Sequence, residues 1–174
     1  MLSAPGPQML LTPARIEAAA NICRWHGQVK RHYSVLEHSV VGAFALREIG
    51  YNHDAVRAFL LHDLEETEFV GDINTPQKAL YMNADYFRDV TIWENDLYRE
   101  QGVGRNLAVV GLMDEVMLRA EYATVSLKED DEPRTDQWIR ICRILIDADE
   151  FGTPEQFWQL WHGRAPELLM GGVV

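Results

Sequence analysis

The chain has 174 residues, 47% of them hydrophobic, which suits a single folded domain with a real core and excludes an intrinsically disordered chain. Its formal net charge is −11, with 16 Lys and Arg against 27 Asp and Glu, so its field repels polyanions and nonspecific binding to nucleic acid is not expected. No apolar run approaches the ~20 residues of a membrane helix, and residues 1–8 carry neither a basic start nor an apolar stretch, so no membrane partner and a cytoplasmic setting are expected.

Helical signals recur along the chain, and strand signals are weak. Thr12-Pro13 has the form of an N-cap with proline at the first helical position, leading a helix over 15–23. Gly27 marks a loop. Between Glu17 and Glu37 there is no acidic residue, whereas Arg24, Lys30 and Arg31 stand there with His26 and His32. This cationic stretch is either chance clustering on a loop or an anion-binding segment. Ser34 followed by Glu37 is a capping-box pattern opening a helix that ends at Gly50. A third helix starts near Asn52 and runs through Phe59 and His62 towards Phe69. Gly71-Asp72-Ile73-Asn74-Thr75-Pro76 is turn chemistry. Further helices are expected over 77–100, 105–127, 135–148 and 154–163, with an acidic turn at 129–132. Cys23 and Cys142 have no metal-like spacing and read as reduced, buried thiols. The sum is an all-α fold, one compact helical bundle spanning 1–174.

Four residues stand out chemically. His62-Asp63 follows Ala58-Phe59-Leu60-Leu61, and a charged Asp in such a run is costly unless something pairs with it. His38 shares an apolar face with Val35, Val41 and Ala45. Asp114 interrupts an apolar run from Leu107 to Leu118. Each has a plain alternative, a polar face for the pair or a satisfied core group for the others. One cation at a point of convergence accounts for all of them at once, because imidazole and carboxylate are good ligands for zinc, manganese or cobalt. His53-Asp54, by contrast, sits beside Asn52 at a helix start, where capping and the helix dipole explain it.

The order His38, His62-Asp63, Asp114 resembles the signature of the HD-domain phosphohydrolase superfamily. Arg24-Trp25, the run from Ser34 to Ser39, Leu60-Leu61-His62-Asp63 with Glu66, and Gly71-Asp72 with Thr75-Pro76 look like blocks of its 5′-deoxynucleotidase branch and that branch's short phage relatives. The likeness covers about residues 13–125. Between His62 and Gly71 the chain is one residue longer than the usual pattern. That leaves the acidic residue open among Glu65, Glu66 and Glu68, with Glu66 favoured as i+4 from His62.

The resemblance implies an HD-domain bundle in which His38, His62, Asp63 and Asp114 bind one divalent transition metal. It implies Glu66 and Asp72 as catalytic acids that orient water or move a proton. Arg24 and Lys78 would meet the phosphates, with Lys30 and Arg31 as further candidates, and Trp25 would pack on sugar or base. The expected partner is a small deoxynucleotide. The leading substrate is dATP, hydrolysed to deoxyadenosine and triphosphate, because the length is compact and the 24–32 loop carries several cations. The runner-up is a 5′-deoxynucleotidase acting on monophosphates. A helical interaction module pinned by a structural ion is the alternative of another class. A homo-oligomer, dimer or hexamer, is expected from the same likeness. Trp93, Trp138, Trp158 and Trp161 are left as core or interface.

Overall fold

The structure, a computed structural model, describes residues 10–69, 71, 82–126 and 137–166. Among them are seven α-helices: α1 (Pro13–Asn21), α2 (Val35–Ile49), α3 (His53–Leu61), α4 (Ala84–Glu100), α5 (Leu107–Thr124), α6 (Gln137–Asp147) and α7 (Pro154–Trp161). Two short 3-10 turns, Trp25–Gly27 and Leu64–Thr67, complete the regular structure. Extended pairing among the described residues is confined to isolated bridges, Cys23 with Ser34 and Val29 with Ser126. The expected all-α bundle is therefore what the chain forms.

Several helix starts follow directly from side-chain chemistry. Thr12, Ser34, Asn52, Asn83 and Thr153 each accept a hydrogen bond from a backbone N–H of the first turn they precede. At Ser34 the capping box is only half built. Ser34 Oγ accepts from the Glu37 amide at 3.0 Å, but the Glu37 carboxylate turns to Arg31 instead of back to the cap. Gly50 closes α2 in the left-handed region at φ 96°, as its place in the sequence suggests.

Helix α2 is the centre of the bundle and packs on α1, α3, α5, α6 and α7. Eleven of its fifteen residues are buried, so it is apolar nearly all round rather than along one stripe. Its contact with α3 is unusually close at Gly42. A Cβ there would lie 2.2 Å from the Phe59 ring. That ring in turn lies tilted against His62 at 4.2 Å between centroids and is 5.6 Å from His38. The glycine thus sets the position of an aromatic wall behind both histidines. Gly42→Ala should lower stability by about 1–3 kcal/mol through overpacking, read from the urea midpoint at unchanged slope.

The third helix is shorter than expected. It ends at Leu61 instead of continuing to Phe69. In a continuing helix the Phe59 carbonyl would accept from the Asp63 amide. Here it is taken by His62, through the ring Nδ1 at 2.6 Å and the backbone amide at 3.4 Å. The chain then turns through Leu64–Thr67. Arg15 of α1 fastens that turn, donating to Thr67 Oγ1 and Glu68, each at 2.8 Å.

Most other helix ends fall within a few residues of expectation, but the helix expected over 77–100 starts only at Ala84, where Asn83 caps it in extended backbone; residues 72–81 and 127–136 lie outside the described residues. The turn block from Asp72 to Pro76, Lys78 and the acidic turn at 129–132 are therefore not placed. Cys142 is buried as expected, whereas Cys23 is half-buried. Trp161 belongs to the core, and Trp93, Trp138 and Trp158 pack partly buried against it, which gives all four a role within the chain itself.

Candidate metal centre

Three separated pieces of sequence meet at one point. His38 comes from the second turn of α2, His62 and Asp63 from the break after α3, and Asp114 from the middle of α5. His38 Nε2 lies 3.1 Å from His62 Nε2, 3.3 Å from Asp114 Oδ1 and 3.6 Å from Asp63 Oδ2. His62 Nε2 lies 3.4 Å from Asp63 Oδ1 and 3.8 Å from Asp114 Oδ1. His38 is fully buried, whereas the Asp114 side chain keeps 36% of its exposure, so the cluster borders solvent on the α5 side.

The second ring nitrogens decide what this cluster can hold. His62 Nδ1 faces the Phe59 carbonyl, which can only accept, so that nitrogen carries the hydrogen. His38 Nδ1 faces the carboxylate of Glu121 and carries its hydrogen for the same reason. In the neutral rings both Nε2 atoms then present lone pairs to each other and to two carboxylates. Only a positive charge reconciles four such donors. Two imidazole nitrogens, each oriented by a fixed partner, and an Asp114 oxygen lie within 4.8 Å of one another and form a donor set that fits a divalent transition metal, with Asp63 beside it as a fourth candidate that groups instead with Glu65 and Glu66.

Without such an ion, protons take its place. Burial and Arg24 push His38 down, but Glu121 and Asp114 outweigh them and raise it to about 9. Burial opposes charge on His62 as well, and Asp63 and Asp114 raise it. The carboxylates move the opposite way. Burial would raise Asp63 and Asp114, yet the two histidines hold both below the ordinary range, with Arg24 adding to the effect on Asp63.

Around the cluster, the structure brings in some of the expected residues and not others. Arg24 is 6% exposed, and Nη1 donates to Asp63 Oδ2 at 2.8 Å while Nε approaches Glu121 at 3.4 Å. It therefore orients the Asp63 carboxylate. Trp25 is half-buried, its indole N–H donating to Glu121 Oε2 at 3.1 Å and its ring edge-on to Tyr122. Lys30 is exposed, with Nζ donating to the Thr124 carbonyl at 3.1 Å.

Arg31 is the clear departure. Its guanidinium donates to both oxygens of the buried Glu37, at 2.6 and 2.9 Å, and to the Ile146 carbonyl at 2.8 Å, and it pairs with Asp149. It ties α2 to the end of α6 and is not available as a phosphate ligand.

The open choice among three glutamates narrows. Glu68 points to Arg15 and is out of the cluster. Glu65 and Glu66 are both buried, and each offers a carboxylate oxygen within 4.8 Å of one from Asp63. Because α3 has ended by Leu61, the i+4 spacing of Glu66 from His62 does not separate the two. Asp72 and Lys78 lie outside the described residues.

One residue of the site escaped the sequence reading. Glu121 is fully buried on α5 and accepts from Tyr33 Oη at 2.9 Å as well as from His38 and Trp25. The signal was present. Glu121 stands seven residues after Asp114, two helical turns along the same face, and follows the same buried stretch.

No family model matches the chain, and no curated protein matches it either. Among the described residues no helix is long and apolar enough to cross a membrane.

Proposed function

We propose that this chain is a metal-dependent phosphohydrolase of the HD-domain type that acts on a small deoxynucleotide, with dATP as substrate and triphosphate as the leaving product. The observation that supports this reading is the tautomer-fixed meeting of His38 and His62 Nε2 with Asp63 and Asp114. A divalent ion held by these four would supply Lewis acidity toward a phosphate oxygen and lower the pKa of a water.

The chain's own residues have defined tasks in such a reaction. Arg24 holds the Asp63 carboxylate in place, and Glu121 and the Phe59 carbonyl hold the two rings. Glu65 or Glu66, beside Asp63, accepts the proton of the attacking water. Oxygen from water bonds to the α-phosphorus, the bond to the 5′ oxygen breaks, and that oxygen takes up a proton as the nucleoside leaves.

A structural ion is usually sealed in, whereas a catalytic one keeps an open side. The partly exposed Asp114 favours the second arrangement over a non-catalytic interaction module. A second substrate reading, a 5′-deoxynucleotidase, is favoured by Arg31. With that guanidinium committed to Glu37, the loop offers fewer cations to a polyphosphate than its composition suggests.

The test is to offer purified protein dATP, dGTP and dAMP with cobalt or zinc and to analyse the products. Free triphosphate from dATP supports the first reading. Orthophosphate from dAMP alone moves the assignment to the second, and no hydrolysis of any of them removes both.

Metal uptake also carries a sign in pH. Binding must displace the proton held on His38, whose pKa is about 9. Apparent affinity should therefore strengthen as pH rises toward about 9, by up to about tenfold per pH unit for each proton displaced, and then level off. Calorimetry in two buffers of different ionisation enthalpy counts the released protons, and a count of zero would contradict this account.

A further inference from the structure

We infer that Glu121 is a positioning residue that couples metal loading at the four-residue cluster to the conformation of the Arg24-Trp25 loop. This inference rests on the metal-site reading above and adds to it a mechanical link between metal and loop.

The two oxygens of the Glu121 carboxylate serve two different pairs of partners. Oε1 accepts from Tyr33 Oη at 2.9 Å and from the ligand His38. Oε2 accepts from the Trp25 indole at 3.1 Å and faces Arg24 Nε at 3.4 Å. A carboxylate is a rigid planar group, so a rotation that follows His38 moves the oxygen that holds the loop. Drawing His38 Nε2 onto an ion necessarily shifts its Nδ1, and Glu121 passes that shift to Trp25. Arg24 provides a parallel path, because its other end holds Asp63.

The loop is built so that it depends on such a hold. Trp25, His26 and Gly27 have φ of 59°, 51° and 73°, three successive residues in the left-handed region. For a residue with a side chain this conformation costs about 1–2 kcal/mol, so the turn is not self-sustaining at Trp25 and His26. Besides the turn's own backbone bonds and the bond from the Arg24 amide to the Tyr33 carbonyl, three contacts that fasten it come from the same end of α5. The Lys30 amide donates to the Val125 carbonyl at 2.8 Å, Lys30 Nζ donates to the Thr124 carbonyl, and Glu121 takes Trp25. The helix that carries the ligand Asp114 thus also sets the loop. By linkage, the factor by which metal loading shifts the loop equilibrium is also the factor by which setting the loop in its metal-loaded position strengthens metal binding.

The test uses the full chain with zinc alone. Glu121→Gln keeps the shape of the side chain but replaces one acceptor oxygen with a donor NH2, leaving one pair of partners facing a donor. Trp25→Phe removes the indole donor and touches no metal ligand. Zinc affinity is measured by calorimetry for wild type and both variants, with circular dichroism as the check on folding. The Trp25 emission response to zinc is taken as the difference between wild type and Trp25→Phe.

Glu121→Gln should weaken zinc binding by about 10–100-fold. Trp25→Phe should weaken it by about fivefold or more, and Trp25 emission should change on zinc addition to wild type. Zinc affinity in Trp25→Phe equal to wild type overturns the coupling, also where Glu121→Gln fails to fold. So does a folded Glu121→Gln that binds zinc as wild type does. A wild type that takes up no zinc removes the proposed function and this inference with it, whereas a zinc-binding wild type with indifferent variants removes the inference alone.

Discussion

Asp114→Asn should abolish metal uptake and hydrolysis while leaving the fold intact. The Asp114 carboxylate borders solvent, and its close partners among the described residues are His38 Nε2 and His62 Nε2, at 3.3 and 3.8 Å. The amide has the same shape, so the packing of α5 on α2 and α3 does not change. What it lacks is charge. The two imidazole lone pairs then meet one carboxylate instead of two, and the donor set loses the negative charge that offsets a divalent ion. Metal content, read by elemental analysis, should fall from one ion per chain to near zero. Nucleotide hydrolysis should fall by about a thousandfold or more, roughly 4 kcal/mol of transition-state stabilisation. Glu115→Gln is the control, an exposed neighbour on the outer face of α5 paired with Arg119, and it should change neither quantity. Hydrolysis that persists in Asp114→Asn would take the metal out of the reaction.

The convergence of these side chains was legible in the sequence for a physical reason. His38, Asp63 and Asp114 each place an ionisable group within an apolar run, and burial of such groups without compensation is costly enough to demand an explanation. The same logic applies to Glu121, whose spacing from Asp114 puts it on the same face. The early end of α3 was not legible. It depends on His62 taking the Phe59 carbonyl with its own ring, a local competition that periodicity does not report. The fates of the cations were least legible. Arg24, Lys30 and Arg31 are alike in composition and close in sequence, yet one holds Asp63, one is exposed against a helix end, and one is tied to the buried Glu37. Which carboxylate a cation finds is decided by tertiary packing, and the nearest unmatched acid for Arg31 was the Glu37 that a capping box would have used.

Arg31→Ala is accordingly a stability variant and not a substrate-binding one. Glu37 is 5% exposed, and burial raises its pKa against the pull of Arg31. Removing Arg31 strands that carboxylate in the core beneath Gly152, where a Cβ would sit 2.6 Å from the Glu37 Cβ and the backbone has φ +100°, so the segment around it has little room to adjust. Breaking a buried pair costs about 3–5 kcal/mol, and the lower end applies here because Arg31 keeps 26% of its side-chain exposure. A loss of about 3 kcal/mol should appear in urea unfolding. Glu37→Gln added to Arg31→Ala should recover part of it, since a neutral amide is less costly to bury unpaired than a carboxylate. A phosphate-binding arginine would behave in the opposite way, raising KM for the nucleotide and leaving the unfolding midpoint where it was. The two measurements on one variant therefore decide between the role that the composition of the loop suggests and the role that its geometry gives.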